Sequence, residues 1–169
     1  SINTPSMSVL YFNNFHAPLV ERALKRNYIH QISLVDIACG YAHELDFLKD
    51  NPNVNLFGVD ISDIVLAEAR KRLPNARLLQ HDVQNGELPY DAASMDAVIA
   101  VNAVIYCPDD MMRTIFQSLK QGSEAVINFR NFSNPYNLPF YDFYTSNGAK
   151  ITDQELKIGD ETFALKVLD

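Results

Sequence analysis

Residues 32–37, 55–59, 76–80, 96–101 and 124–129 are apolar runs built mainly from Val, Ile and Leu, and stretches of helical pattern lie between them. Runs that do not alternate with polar residues belong to strands buried on both faces. Strands of that kind joined through helices form a parallel sheet, so the expected class is α/β: a doubly wound, mainly parallel sheet with helices on both faces. The clearest connecting helix is "SDIVLAEARKRLP", with Ser62 as N-cap, Glu68 and Arg72 four residues apart, and Pro74 as the stop. In "PDDMMRTIFQSLKQG", Met112, Ile115, Phe116 and Leu119 share a face, acids occupy the first turn, and Gly122 stands just past the expected end. "APLVERALKR" reads as a further helix near the N-terminus.

After residue 129 the composition changes. "RNFSNPYNLPFYDFYTSNG" is crowded with Asn, Pro and aromatics, and "KITDQELKIGDETFALKVLD" reads as a C-terminal antiparallel hairpin turning near Gly159 and Asp160. With 47% hydrophobic and 21% charged residues, the 169 residues suit one domain, 1–169, with an N-terminal cap segment over about 1–30. A chain that ends directly after its last strand is expected to be a minimal domain or a truncated one. The balance of 14 basic against 21 acidic residues, net −7, counts against a protein that holds nucleic acid by neutralising phosphates. Two cysteines, Cys39 and Cys107, fit reduced packing residues in a cytoplasmic protein. The most apolar run, "AVIAVNAVIYC", is too short to span a bilayer, so a soluble protein is expected.

Open parallel sheets bind ligands at the carboxyl ends of their strands. Asp36 and Asp60 end the first two strands, Asp82 follows the third in "LLQHDV", and Asn102 follows the fourth. The 20 residues from Gly40 to Asp60 are the separation at which a carboxylate accepts hydrogen bonds from ribose hydroxyls. A dinucleotide would want G-x-G-x-x-G, but "LVDIACGYAHELDF" offers Ala38, Gly40 and His43 at those positions. The surrounding acids favour a cationic, phosphate-free nucleoside such as S-adenosylmethionine. "HELDF" has Phe47 where a zinc helix would carry its second histidine, so no metal site is expected.

From about Leu10 onward the sequence resembles the Rossmann-like (class I) S-adenosylmethionine-dependent methyltransferases. "DIACGYA" is similar to their acid-x-G-x-G-x-G motif at Asp36 and Gly40, with Ala38 and Ala42 in place of glycines, and "LFGVDIS", "QHDV" and "MDAVIAVNAVIY" match the later motifs. The resemblance implies that Asp60 holds the ribose, Ile61 lies against adenine, and Asp82 with the Val83 amide reads the adenine edge. It places the amino-acid end of the cofactor near Asp36, Ala38, Gly40 and Asn102. Ala42 is the departure with a physical consequence, because alanine resists a positive φ.

The reaction expected is in-line methyl transfer to N, O or C of a small-molecule acceptor, chemistry that depends on orientation and exclusion of water more than on acid–base help. Family members commonly fold an N-terminal segment over the cofactor, so Tyr11 or Phe12 is expected to shield the sulfonium. Acceptor-pocket candidates are Tyr11, His16, Tyr106, Tyr136 and Tyr141, together with Asn102, Phe140 and Tyr144. Two alternatives stand beside this reading. "FNNF" resembles the asparagine pair of RNA-cap guanine methyltransferases, although Ala17 stands where those enzymes carry lysine, and the alanine-substituted loop is compatible with a cofactor-binding or scaffold module without catalysis.

Overall fold

The structure, a computed structural model, describes residues 9, 11–27, 31–101, 103, 108–130, 149–158 and 161–168. A π-helical turn, Phe12–His16, leads into α1, Ala17–Arg26. The chain then runs through β1 (Ile32–Ile37), a short 3₁₀ helix (His43–Leu48), β2 (Val54–Asp60), α2 (Asp63–Arg72), β3 (Arg77–Gln80), a 3₁₀ turn (Val83–Asn85) and β4 (Met95–Ala100). It closes with α3 (Pro108–Ser118), β5 (Leu119–Arg130), β6 (Ala149–Ile158) and β7 (Glu161–Leu168).

One sheet holds all seven strands in the order β3-β2-β1-β4-β5-β7-β6. β1 through β5 are parallel, while β7 pairs antiparallel with both β5 and β6. The order reverses between β1 and β4, and that switch point opens a crevice at their carboxyl ends. Pro-free, β-branched strands suit this position because both sheet faces are covered. On one face Leu34, Leu56, Ile99 and Val126 pack with Leu19 and Ala23 of α1 and Leu66 of α2. On the other, Val35, Ile37, Val98 and Ile127 pack with Met111 and Ile115 of α3. Each of these side chains larger than alanine contributes about 1.5–3 kcal/mol by leaving water. No helix among the described residues is long and apolar enough to cross a membrane.

Three local expectations are revised. α3 stops at Ser118, and Gly122 is no helix terminator: Met95 pairs with Leu119 and Ala97 with Glu124, so β5 takes five steps where β4 takes two. The extra residues form a bulge, and Gly122 supplies the φ of +79° that it needs. Arg72 does not turn toward Glu68, which pairs with Lys71 at 2.9 Å; it reaches Asp46 and the Tyr41 carbonyl instead. Ser62 holds the N-cap position of α2, but its hydroxyl makes no capping bond, and Asp60 Oδ1 takes up the Ser62 amide at 2.9 Å. The residues read as the hairpin turn, Gly159 and Asp160, lie outside the described residues.

At the amino ends of the strands, Glu124 and Asp96 are buried, 5% and 7% exposed. Glu124 accepts from Arg22 Nε at 2.9 Å and from Arg26 Nη1 at 2.6 Å; Asp96 accepts from the Ser33 amide at 2.9 Å and from Lys120 at 3.0 Å. These bonds fasten α1 to β5 and tie β4 to β1 and β5, at the edge of the sheet away from the crevice.

Candidate cofactor-binding site

β1 delivers Asp36 to the carboxyl edge, and the chain leaves it through a loop in which alternate residues are left-handed: Ala38 (φ 56°), Gly40 (φ 55°) and Ala42 (φ 58°). The alanines thus follow the path that glycines would take. Each costs about 1–2 kcal/mol in that conformation, so the surroundings must over-determine the loop. The Cys39 amide donates to the Val59 carbonyl at 2.9 Å, the Gly40 amide to Asp60 Oδ2 at 2.8 Å, and the Ala42 amide to the Cys39 carbonyl at 2.8 Å. Arg72 donates to the carbonyl of Tyr41. The Ala42 methyl is fully buried in the core, which offsets roughly 0.8 kcal/mol of its strain. Gly58 makes room beneath the loop, because a Cβ there would stand 3.0 Å from Cys39 Sγ and 2.7 Å from a Leu78 methyl. Burial pushes the Cys39 thiol well above its ordinary pKa, which keeps it a neutral packing group.

Beside the loop lies a cavity of about 290 Å³ lined by Ala38, Val59, Asp60, Ile61, residues 81–84, Ala103 and Met111. Five residues singled out from the sequence, Ala38, Asp60, Ile61, Asp82 and Val83, meet on this one space. Asp60 is half-buried and bonds two backbone amides, which leaves its remaining lone pairs at the cavity wall. Asp82 starts the Val83–Asn85 turn by accepting from the Gln84 amide at 2.9 Å. Gly40 is tied to the wall through Asp60 without lining it. The cavity also contains residues the motifs did not single out. His81 had a signal in its place directly after β3, next to Asp82; Met111 and Ala103 had none, since α3 and the β4 exit reach the cavity only through tertiary packing.

Asp36 sits behind the loop, 2% exposed, with Oδ2 buried and unpartnered. Burial first, then the carboxylates of Glu44 and Asp60, hold its carboxyl well above the ordinary aspartate range. Above about pH 4 an exposed aspartate ionises, whereas the folded chain retains this proton. The native state therefore binds more protons than the unfolded one, and stability of the empty protein falls as pH rises from about 4 to the raised native value. Asp36→Asn removes that loss, so its melting temperature should draw ahead of the wild type across this window and converge toward it below; parallel melting curves would contradict it.

Tyr11 and His16 are not at the cavity wall. They are 2% and 0% exposed, with ring centroids 6.1 Å apart and planes 11° from parallel. His16 Nε2 lies 3.0 Å from Glu44 Oε2. Asn102, Tyr106, Tyr136, Phe140, Tyr141 and Tyr144 lie outside the described residues, as does Cys107.

Residues 34–122 match the model of a family described as "Methyltransferase domain". A trans-aconitate 2-methyltransferase of Variovorax paradoxus is 32% identical over 97 residues, 56% of this chain and 37% of that protein. An uncharacterized methyltransferase, YdaC, of Bacillus subtilis is 29% identical over 103 residues, 58% of this chain and 56% of that protein. The chain therefore spans little more than a third to just over half of these curated relatives. Among solved structures, a TehB-like SAM-dependent methyltransferase from Corynebacterium glutamicum superposes with a TM-score of 0.68 at 17% identity, covering 98% of this chain and 100% of that one, a likeness of fold.

Proposed function

This chain belongs to the methyltransferase-domain family, and from that premise we propose that it binds S-adenosylmethionine in the cavity beside the loop and transfers its methyl group to N, O or C of a small molecule. The observation that carries the reading is the meeting of Ala38, Asp60, Ile61, Asp82 and Val83 at one cavity on the carboxyl edge. The fit is chemical as well as spatial. The cavity combines apolar walls with carboxylates at its rim, Asp36 adds a buried acid behind the loop, and the Gly40 amide, which a pyrophosphate would need, is already occupied by Asp60.

In this reading Asp60 accepts from the ribose hydroxyls, Ile61 and Val83 flank the adenine, and Asp82 with the Val83 amide reads its edge. Asp36, Ala38, Gly40 and Asn102 border the amino-acid end of the cofactor. When bound, the cofactor supplies an electrophilic methyl group on sulfur. The residues around it orient the acceptor in line with that bond and exclude water; the leaving thioether is neutral and needs no acid. Residues 130–148, with Tyr136 and Tyr141, and Tyr106 are proposed as the acceptor-side wall. The name of the Variovorax relative supports a small-molecule acceptor, and the net charge of −7 disfavours RNA. The domain is proposed to span 1–169, with the segment through about residue 30 as its cap, in a cytoplasmic protein.

Titration calorimetry tests this reading. S-adenosylhomocysteine should bind in the micromolar range and NAD should give no heat of binding; the opposite preference would overturn the assignment.

A further inference from the structure

One buried polar residue next to the loop is not used by the proposed cofactor contacts, His16. His16 is wholly buried at the end of a π-helical turn, a geometry rare in proteins and frequent at functional sites. Its Nε2 bonds Glu44, which follows the loop by two residues, and its Nδ1 is buried without a partner. Four residues earlier on the same turn, the Phe12 ring stacks on Phe47 at 4.7 Å, with planes 24° apart. The turn therefore grips the 3₁₀ helix His43–Leu48 at two points, one polar and one aromatic. Arg72 also holds the same element through Asp46, and the loop before it through the Tyr41 carbonyl.

A buried histidine held to a carboxylate across 28 residues of chain is costly unless the pairing has good geometry. Simple packing of a helix would be served as well by leucine. What the pairing supplies is a fixed position for the N-terminal segment relative to a loop whose two alanines would otherwise relax away from left-handed backbone. Glu44 also stands near enough to Asp36 to raise its pKa, so the clasp closes on the acidic end of the site.

We propose that His16 is a positioning residue of the cofactor site: through Glu44, with Phe12 on Phe47, it clasps the N-terminal segment to the element after the loop and holds the loop in its binding-competent path. This rests on the cofactor reading above. His16 touches no cofactor atom in this account. It acts through Glu44, and its removal lets the segment and the loop part.

The test compares S-adenosylhomocysteine binding by calorimetry, and hydrogen exchange of residues 11–26 with and without that ligand, in the wild type, His16→Ala, His16→Gln, Glu44→Ala and the double variant His16→Ala/Glu44→Ala. His16→Ala should weaken binding about tenfold, as expected for one hydrogen bond to a charged group. His16→Gln, whose amide can reach the place of Nε2, should regain most of that loss, and the double variant should lose no more than either single one. Ligand should slow exchange in residues 11–26 of the wild type and of His16→Gln, but not of His16→Ala. Glu44 is partly exposed, so Glu44→Ala breaks the clasp without opening the core and keeps the test valid if His16→Ala does not fold. Wild-type affinity in His16→Ala or Glu44→Ala, additive losses, or no rescue by glutamine would overturn the clasp while leaving the cofactor reading intact. Absence of binding by the wild type itself would overturn both.

Discussion

Asp60→Ala should weaken S-adenosylhomocysteine binding by about 1.5–3 kcal/mol, roughly 10- to 150-fold, with the sheet still folded. The carboxylate has two roles that the substitution removes together. It is the proposed acceptor for the ribose hydroxyls, and it ties the Gly40 amide, the centre of the left-handed loop, to the end of β2. Asp60→Asn separates these roles, because an amide oxygen can still accept from one backbone donor while the charge is lost. Calorimetry on both variants, beside far-ultraviolet circular dichroism, measures the effect. Unchanged affinity in Asp60→Ala would move the ribose contact elsewhere.

Glu124→Ala acts at the opposite edge of the sheet and should do the reverse, lowering stability and sparing the ligand. Glu124 is 5% exposed and bonds two guanidinium groups, so its removal leaves Arg22 and Arg26 without their counter-ion. Breaking a buried pair costs about 3–5 kcal/mol. Both arginine side chains are about one-third exposed, 33% and 34%, and can turn toward water, so about 2–3 kcal/mol is expected here. Urea denaturation should show a lower midpoint at constant slope, with S-adenosylhomocysteine affinity in the folded protein unchanged. A parallel loss of affinity would mean that α1 is coupled to the crevice as well as to β5.

The difference between these two clusters bears on what could be read from residues alone. Asp60 was legible because its position is local: it ends an apolar run 20 residues after Gly40. Glu124 and Asp96 carried no such signal. They stand at the starts of apolar runs, and their partners lie 102 and 24 residues away in the chain, brought near only by the packing of α1 and by the β5 bulge. Gly122 illustrates the same limit. A glycine after a helical pattern is read as a terminator, and nothing in the neighbouring residues reports that β4 and β5 fall out of step there.

By itself, the sequence determined the parallel α/β class, the five parallel strands apart from the early start of β5 at Leu119, the helix Ala17–Arg26, and the set of acids at successive strand ends, because each depends on patterns repeating within a few residues. Tertiary structure decided the left-handed path of the alanine loop. Alanine's own preference opposes that path, and bonds to Val59 and Asp60 and from Arg72 help to hold it there. It likewise brought Met111 and Ala103 to the cavity and buried His16 against Glu44. Such contacts join residues distant in the chain, and local preference carries no information about which of them will meet.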